Sequence, residues 1–550
     1  MRARTRAGVS AVAVLASLVA AVPAQAGQTT RIDQGGLDWA PCEDIQPVAD
    51  ENLECATLTV PLARTADGER LSGRDDTVEL ALSRVPASGE SRHTLLVNPG
   101  GPGSAGRQWA SYTHWRMPVE LRETYDVVSF DPRGVGASTP SITCDPDHFT
   151  PVRPDTVPAD AAAEEALRAD AQAYARDCAD NTGPLLGHTR TVDTAHDMDA
   201  IRAALGRERI DYLGYSYGSY LGTVYSALYP DRVRSLVLDS VVNPDKPWYE
   251  SNLVQNRALD RAANDFFAWT ARHDDVYGLG TTGEQVAEAY YALRSELADE
   301  PAEGTVGPTE LESTAIVVAY SSAYWPPVAA ALSARTTGSD SAPLLALYEA
   351  YGEDAGSDRG YGGYLAVQCT DSHWPRDWST WHADAGKSHA EAPFMSWNNT
   401  WYNAPCATWS AGSDDWFQVG NGPGEHPAYE GDVLLVHATE DGATPVEGAF
   451  ALRERLPGSA LVTEEGGHTH GVSLTGNDCV DEIVTAYLRD GELPERAGGE
   501  GPDVTCEGRP EPQPRTAQNA PGTMVERPAP VPGHHVGAIV ESGAAEQPVE

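Results

Sequence analysis

Beyond its first two dozen residues the chain has no run of about 18 consecutive apolar residues, so no transmembrane helix is expected. It has no C-x-x-C spacing, which argues against a structural zinc site; no metal and no organic cofactor is expected. Positive charge is scarce: 38 Lys and Arg stand against 81 Asp and Glu, a formal net charge of −43. Nucleic acid and anionic membrane would be repelled by such a field and are excluded as partners. The charge reads as a solubility feature of an exported protein. There is no internal repeat, and no cysteine near residue 26 to carry a lipid anchor.

What is present begins with a leader. Arg2, Arg4 and Arg6 precede an apolar run, Ala7 to Ala21, and the small-x-small site Ala24-Gln25-Ala26. This is the pattern of a cleaved signal peptide over residues 1–26, with a mature start near Gly27 and a secreted, extracellular product. All eight cysteines lie after it, and an even number in an oxidising compartment favours disulfides. They fall into four sequence-local pairs: Cys42 with Cys55, Cys144 with Cys178, Cys369 with Cys406, and Cys479 with Cys506.

The 550 residues suffice for one large α/β domain with an insertion, or for two domains. Strand patterns occur at 77–85, 94–98, 125–130, 210–213 and 233–241, with helices at 159–180, 191–205 and 217–229 between them. From 244 to 430 helical stretches such as 252–273 and 283–298 alternate with Trp- and Tyr-rich loops and no buried strand is evident. Strands resume at 432–437 and 460–463, followed by a helix over 480–489. Strands alternating with helices imply a mostly parallel sheet covered on both faces. The expected organisation is a core over 27–243 and 431–507, a mainly helical cap over 244–430, and a disordered Pro-rich acidic tail over 508–550.

One stretch organises the rest. Gly214-Tyr215-Ser216-Tyr217-Gly218 is a G-x-S-x-G motif between a buried strand and a helix, the context that exposes a nucleophilic serine on a sharp turn. Gly218 and Gly222, four apart on one helix face, let that helix approach the sheet closely. A serine needs a base, an orienting acid and a site for the oxyanion, and in such folds the acid and then the base follow it in sequence. Asp441, in the loop after the strand at 432–437, is the expected acid; Glu440 is its neighbour, and Asp239 an alternative acid position. Gly466-Gly467-His468-Thr469-His470-Gly471 supplies the base. His468, directly after small residues, is the choice and His470 the alternative. Oxyanion donors are the backbone N–H of Tyr217 and one from Asn98-Pro99-Gly100-Gly101-Pro102-Gly103, Gly101 before Gly100. Arg133 reads as structural, and Trp325, Trp374 and Trp378 chiefly as packing.

NPGGPGSAG, YDVVSFDPRGVGAS, TVDTAHDMDAIRAALGRERIDYLGYSYGSYLG and the DGATP loop resemble the secreted tripeptidyl aminopeptidases, in the prolyl-aminopeptidase branch of the α/β-hydrolases, from about Trp39 to Cys506. The resemblance implies the α/β-hydrolase fold with a helical cap. It also implies a serine exopeptidase acting on peptides with a free N-terminus, with Ser216 matching the nucleophile, Asp441 the acid and His468 the base. The local cysteine pairs fit its secreted members. Many members carry one histidine in the base loop where this chain carries two. An exopeptidase must read the substrate's α-ammonium, and Asp371, beside Cys369, is the expected carboxylate for it. A carboxylesterase or lipase with the same catalytic groups, and a prolyl aminopeptidase releasing single residues, are the alternatives.

Overall fold

The computed structural model describes residues 36–49, 52–420 and 422–515. The leader expected over 1–26 lies outside the described residues, as does the tail beyond residue 515.

The strands are β1 (Ala40–Pro41), β2 (Glu54–Pro61), β3 (Thr77–Val85), β4 (His93–Asn98), β5 (Tyr125–Phe130), β6 (Ile210–Tyr215), β7 (Val233–Asp239), β8 (Val419–Gly420), β9 (His426–Pro427), β10 (Val433–Ala438), β11 (Ser459–Glu465) and β12 (Val504–Glu507). Ten of them form one sheet in the order β1-β2-β3-β5-β4-β6-β7-β10-β11-β12, and β8 pairs with β9. Pairing is antiparallel from β1 through β3 to β5 and parallel from β5 through β12. Every residue of β6 and of β10 is buried, because helices cover both faces; this is why those strands read as unbroken apolar runs rather than alternating ones.

The chain runs from β4 to β5 on one side and then crosses back to β6 on the other side of β4. That reversal opens a crevice at the C-terminal ends of β4 and β6, where ligands bind in open parallel sheets. The helix Tyr217–Leu228 after β6 presses close to the sheet. A Cβ on Gly218 would stand 2.7 Å from the Asn98 carbonyl oxygen, so a larger residue would push helix and strand apart.

Between β7 and β10 the chain builds a helical cap. Its longest helix is Trp248–Arg272, and others include Gly283–Asp299, Trp325–Gly338, Asp358–Asp371 and Trp378–Glu391. The cap has its own apolar cluster around Phe266, Phe267, Trp269 and Trp325. Trp374 and Trp378 each stack on Trp381. The short β8 and β9 are an addition to the mainly helical pattern, without evident buried strand, read from sequence. Among the cysteines, disulfides close Cys42–Cys55, Cys144–Cys178, Cys369–Cys406 and Cys479–Cys506.

The C-terminal segment departs from expectation. Residues 508–515, expected to be disordered, cross to the cap. The Arg509 guanidinium binds Glu464, Trp269 Nε1 donates to the Pro512 carbonyl at 3.2 Å, and Arg272 pairs with Glu511. Composition missed this because the contacts are made by backbone carbonyls and isolated charges, which leave no apolar periodicity.

Candidate active site

Ser216 sits between β6 and its helix with φ 57° and ψ −126°, a left-handed conformation that side chains avoid. The turn is held from both sides. Ser216 N–H donates to the Asp239 carbonyl at 2.9 Å, and Ser219 N–H to the Ser216 carbonyl at 2.8 Å. The Ser216 hydroxyl makes no helix-capping hydrogen bond. The N–H of Tyr217 opens the helix and, like all first-turn amides, lacks an intrahelical acceptor.

The loop after β4 lies directly against this turn. Gly100 has φ 99°, and a Cβ there would meet the Tyr215 carbonyl oxygen at 2.5 Å and the Tyr217 nitrogen at 3.1 Å. Its own N–H is committed to Asn98 Oδ1 at 3.0 Å. The neighbouring Gly101 N–H has no partner among the described residues, and Gly101 lines the same cavity as Ser216 and Tyr217. Asp131, after β5, braces the far end of the loop by accepting the Gly106 N–H at 2.7 Å and the Arg107 N–H at 3.0 Å. Arg133 is buried and structural: it clasps Asp197 through two nitrogens at 2.8 and 2.7 Å.

The acid loop follows β10. Asp441 is 3 % exposed, and its Oδ1 accepts the N–H groups of Ala443 at 2.8 Å and Thr444 at 3.0 Å. Burial would raise its pKa, but His470, His437 and the Thr444 amide together hold it well below the usual carboxylate range. Glu440 is exposed beside it.

The base loop requires a correction. His470, not His468, meets Asp441: its Nδ1 lies 2.8 Å from Oδ2 and 3.0 Å from Oδ1. With Nδ1–H given to the carboxylate, Nε2 is the acceptor nitrogen; it is buried and without a partner among the described residues. His468 turns toward the cap, its ring 4.9 Å from Trp325 and its Nδ1 3.9 Å from Asp265. The reason is where the loop is tied. His470 N–H donates to the Tyr320 carbonyl at 2.7 Å and Gly471 N–H to Ser240 Oγ at 2.7 Å. Asp239 Oδ2 accepts the Val472 N–H at 2.9 Å and also the Ser473 N–H. These bonds anchor residues 470–473 over the ends of β7 and β10, while 468 is still on the rise out of β11. Asp239, the alternative acid, is thus occupied with backbone amides.

Asp371 requires the second correction. It is 6 % exposed and does not line the cavity. Its carboxylate accepts Thr191 N–H at 2.7 Å, Thr191 Oγ1–H at 2.6 Å and Trp248 Nε1–H at 3.3 Å. It therefore caps the first amide of the core helix Thr191–Ala204 from the end of a cap helix, a position the helix dipole favours for a carboxylate. Thr191 Oγ1 in turn accepts from the Tyr217 hydroxyl at 2.8 Å, so Asp371 ties the cap to the residue after Ser216. Burial pushes its pKa up to about 6 against these donors.

Sequence reasoning passed over several residues. His437 is fully buried behind the acid loop, accepting the Val241 N–H at 3.0 Å and donating to the Thr444 carbonyl at 2.7 Å. Ser216, Tyr217 and Gly101 open into a cavity of about 410 Å³ roofed by the cap, with Trp248, Tyr320, Gln368 and Glu353 in its walls. Glu353 is bound through one oxygen to Arg153 at 2.7 Å, and Arg153 also pairs with the buried Glu310. Nothing in the local sequence distinguishes Glu353 among 81 acidic residues. Trp248 lies outside the helical stretch read over 252–273, because the helix begins four residues earlier.

The chain matches two families: the alpha/beta hydrolase fold over residues 93–278 and the TAP-like proteins over 392–522. It is 38 % identical to a tripeptidyl aminopeptidase of Streptomyces coelicolor, over 88 % of each chain. It is 32 % identical to the serine protease Hip1 of Mycobacterium tuberculosis, over 83 % of this chain and 89 % of that one. It is also 34 % identical to carboxylesterase B of the same species, over 88 % of this chain and 95 % of that one. With the sheet, the serine elbow and the cap in place, the chain belongs to the tripeptidyl aminopeptidase family of the α/β-hydrolases and is a serine hydrolase of peptidase type.

Proposed function

We propose that this protein is a secreted exopeptidase that releases short peptides, tripeptides in particular, from a free N-terminus through an acyl-enzyme. The observation that carries the reading is the Asp441–His470 pair, with His470 Nε2 left free, on a loop tied to Asp239, the same residue whose carbonyl holds the strained and uncapped Ser216 in the wall of a roofed cavity. His470 Nε2 takes the proton as Ser216 Oγ bonds to the scissile carbonyl carbon. The N–H groups of Tyr217 and Gly101 receive the oxyanion. Asp441 holds the imidazole tautomer and stabilises the imidazolium. The imidazolium gives its proton to the leaving amine as the C–N bond breaks, and water, deprotonated by the same nitrogen, then hydrolyses the ester.

The α-ammonium is read by Glu353. It lines the cavity, one of its oxygens accepts from no described residue, and with Glu310 it outnumbers the single guanidinium of Arg153. Two carboxylates around one cation leave negative charge for a substrate ammonium to neutralise. The four disulfides support an oxidising, extracellular location.

The test is product analysis on one unmodified peptide and its N-acetylated twin, with Ser216→Ala as control. Tripeptides from the free peptide alone are expected. Single residues would move the protein to the prolyl-aminopeptidase type. The likeness to a carboxylesterase supports a second reading, which would prevail if neither peptide were cut while Ser216-dependent ester hydrolysis persisted.

A further inference from the structure

We propose that the outer wall of this cavity is a carboxylate-binding subsite for the departing half of the substrate, formed by Lys246, Arg257 and Arg261. The inference rests on the exopeptidase reading and adds what is recognised beyond the scissile bond.

All three side chains line the cavity that contains Ser216. None makes a side-chain hydrogen bond or an ion pair within 4 Å among the described residues. That is notable in a chain with 81 carboxylates to 38 basic groups, where a neutralising partner is abundant.

Their position follows from helix geometry. On Trp248–Arg272 the cavity-lining residues cover a wide arc. Trp248, Asn252, Gln255 and Leu259 form its buried or half-buried side. Val254, Arg257 and Arg261, three and four residues apart, share the opposite edge, where both arginines are exposed. Lys246, half-buried, precedes the first turn of the same helix. The cations therefore border the opening of the cavity, while Glu353, with 14 % of its side chain exposed, stands in the wall backed by Arg153 and Glu310.

The opposing charges are few. Glu447, exposed like the two arginines, lines the same cavity and offsets one of the three cations. Asp260 and Asp265 neighbour Arg261, but Asp260 accepts the Phe394 N–H at 3.1 Å and Asp265 faces His468 at 3.9 Å. The result is a cavity with negative charge inside and a net positive charge at its mouth, three cations against Glu447. A peptide entering amine-first presents its C-terminal carboxylate, or an acidic side chain after the cut, to that mouth. Three residues past the scissile bond span roughly 10 Å when extended, so the subsite favours short peptides with a free C-terminus.

The experiment compares two hexapeptides that differ only in a C-terminal carboxylate or carboxamide, alongside a tripeptide p-nitroanilide and its N-acetyl form. The kcat/KM ratio of acid to amide is measured at low and high salt for the wild type, for Arg257→Gln/Arg261→Gln and for Lys246→Gln. The wild type is expected to favour the acid about two- to fivefold at low salt, as exposed charge pairs allow, with the ratio falling in salt. The double variant should bring it near one and Lys246→Gln should lower it. A wild-type ratio of one, or a ratio unaltered in both variants, overturns the subsite alone when the free p-nitroanilide is cut and its acetyl form is not. Indifference to acetylation overturns the exopeptidase reading and the subsite with it.

Discussion

His470 and Asp441 form a buried pair, 2.8 Å from Nδ1 to Oδ2, with the histidine 1 % exposed and held over the strand ends by its own backbone. His468, two residues earlier in the same glycine-rich loop, looks the other way into the cap. The two side chains make opposite predictions. His470→Ala should lower kcat about 10⁴-fold or more, while His468→Ala should leave kcat of the same order and lower the melting temperature through lost packing on Trp325. Steady-state kinetics and thermal melting of both variants check this; the reverse ranking would return the base to His468.

Asp441→Asn should preserve the loop but supply the wrong partner to His470, lowering kcat about 10⁴-fold. Because the Asp441 pKa is depressed in the folded state, its contribution to stability is present above about pH 4 and is lost as pH falls through the lower native value. Urea unfolding from pH 7 down to pH 3 should therefore show a shallower acid loss in the variant than in the wild type.

Asp371 has the opposite sign. Burial raises its folded-state pKa to about 6, against about 4 when unfolded. Between these values the native state holds a proton that the unfolded chain has released, so stability falls as pH rises through that window. The unfolding free energy of the wild type minus that of Asp371→Asn should be largest below about pH 4 and level off above about pH 6. A difference independent of pH would refute the assignment. Free-amine peptides and N-blocked esters should lose activity alike in this variant, since Asp371 holds Tyr217 through Thr191 rather than the substrate.

Gly100→Ala tests the fit of the oxyanion loop. The added Cβ meets the Tyr215 carbonyl oxygen at 2.5 Å, and φ 99° is strained for alanine. The loop must lift off the serine turn. A stability loss of about 1–3 kcal/mol with a larger proportional fall in kcat than in 1/KM is expected from paired melting and kinetic measurements.

Much of the core was legible because its signals are local. β3 and β5 occupy the residue ranges their patterns indicate, and the helix after Ser216 ends one residue earlier than expected. β2 was missed although ECATLTVP alternates: no strand was read ahead of residue 77. The four-residue β12 was missed because a short edge strand carries too few apolar positions to show a period.

By itself the sequence determined the alternation of strand and helix, the serine turn, the order of the candidate groups and the local reach of each cysteine pair. Each depends on residues close together in the chain, where spacing alone sets which face or turn a side chain occupies. Only the tertiary structure decided which histidine meets Asp441 and which carboxylate enters the cavity. Two histidines in a glycine-rich loop are nearly equivalent locally. The choice between them comes from Asp239, 233 residues earlier in the chain, whose carboxylate fixes the backbone at Val472. Likewise Asp371 and Glu353 are both acidic residues of the cap, separated in role by what surrounds them: Asp371 meets Thr191 of the core, and Glu353 meets Arg153 and open space.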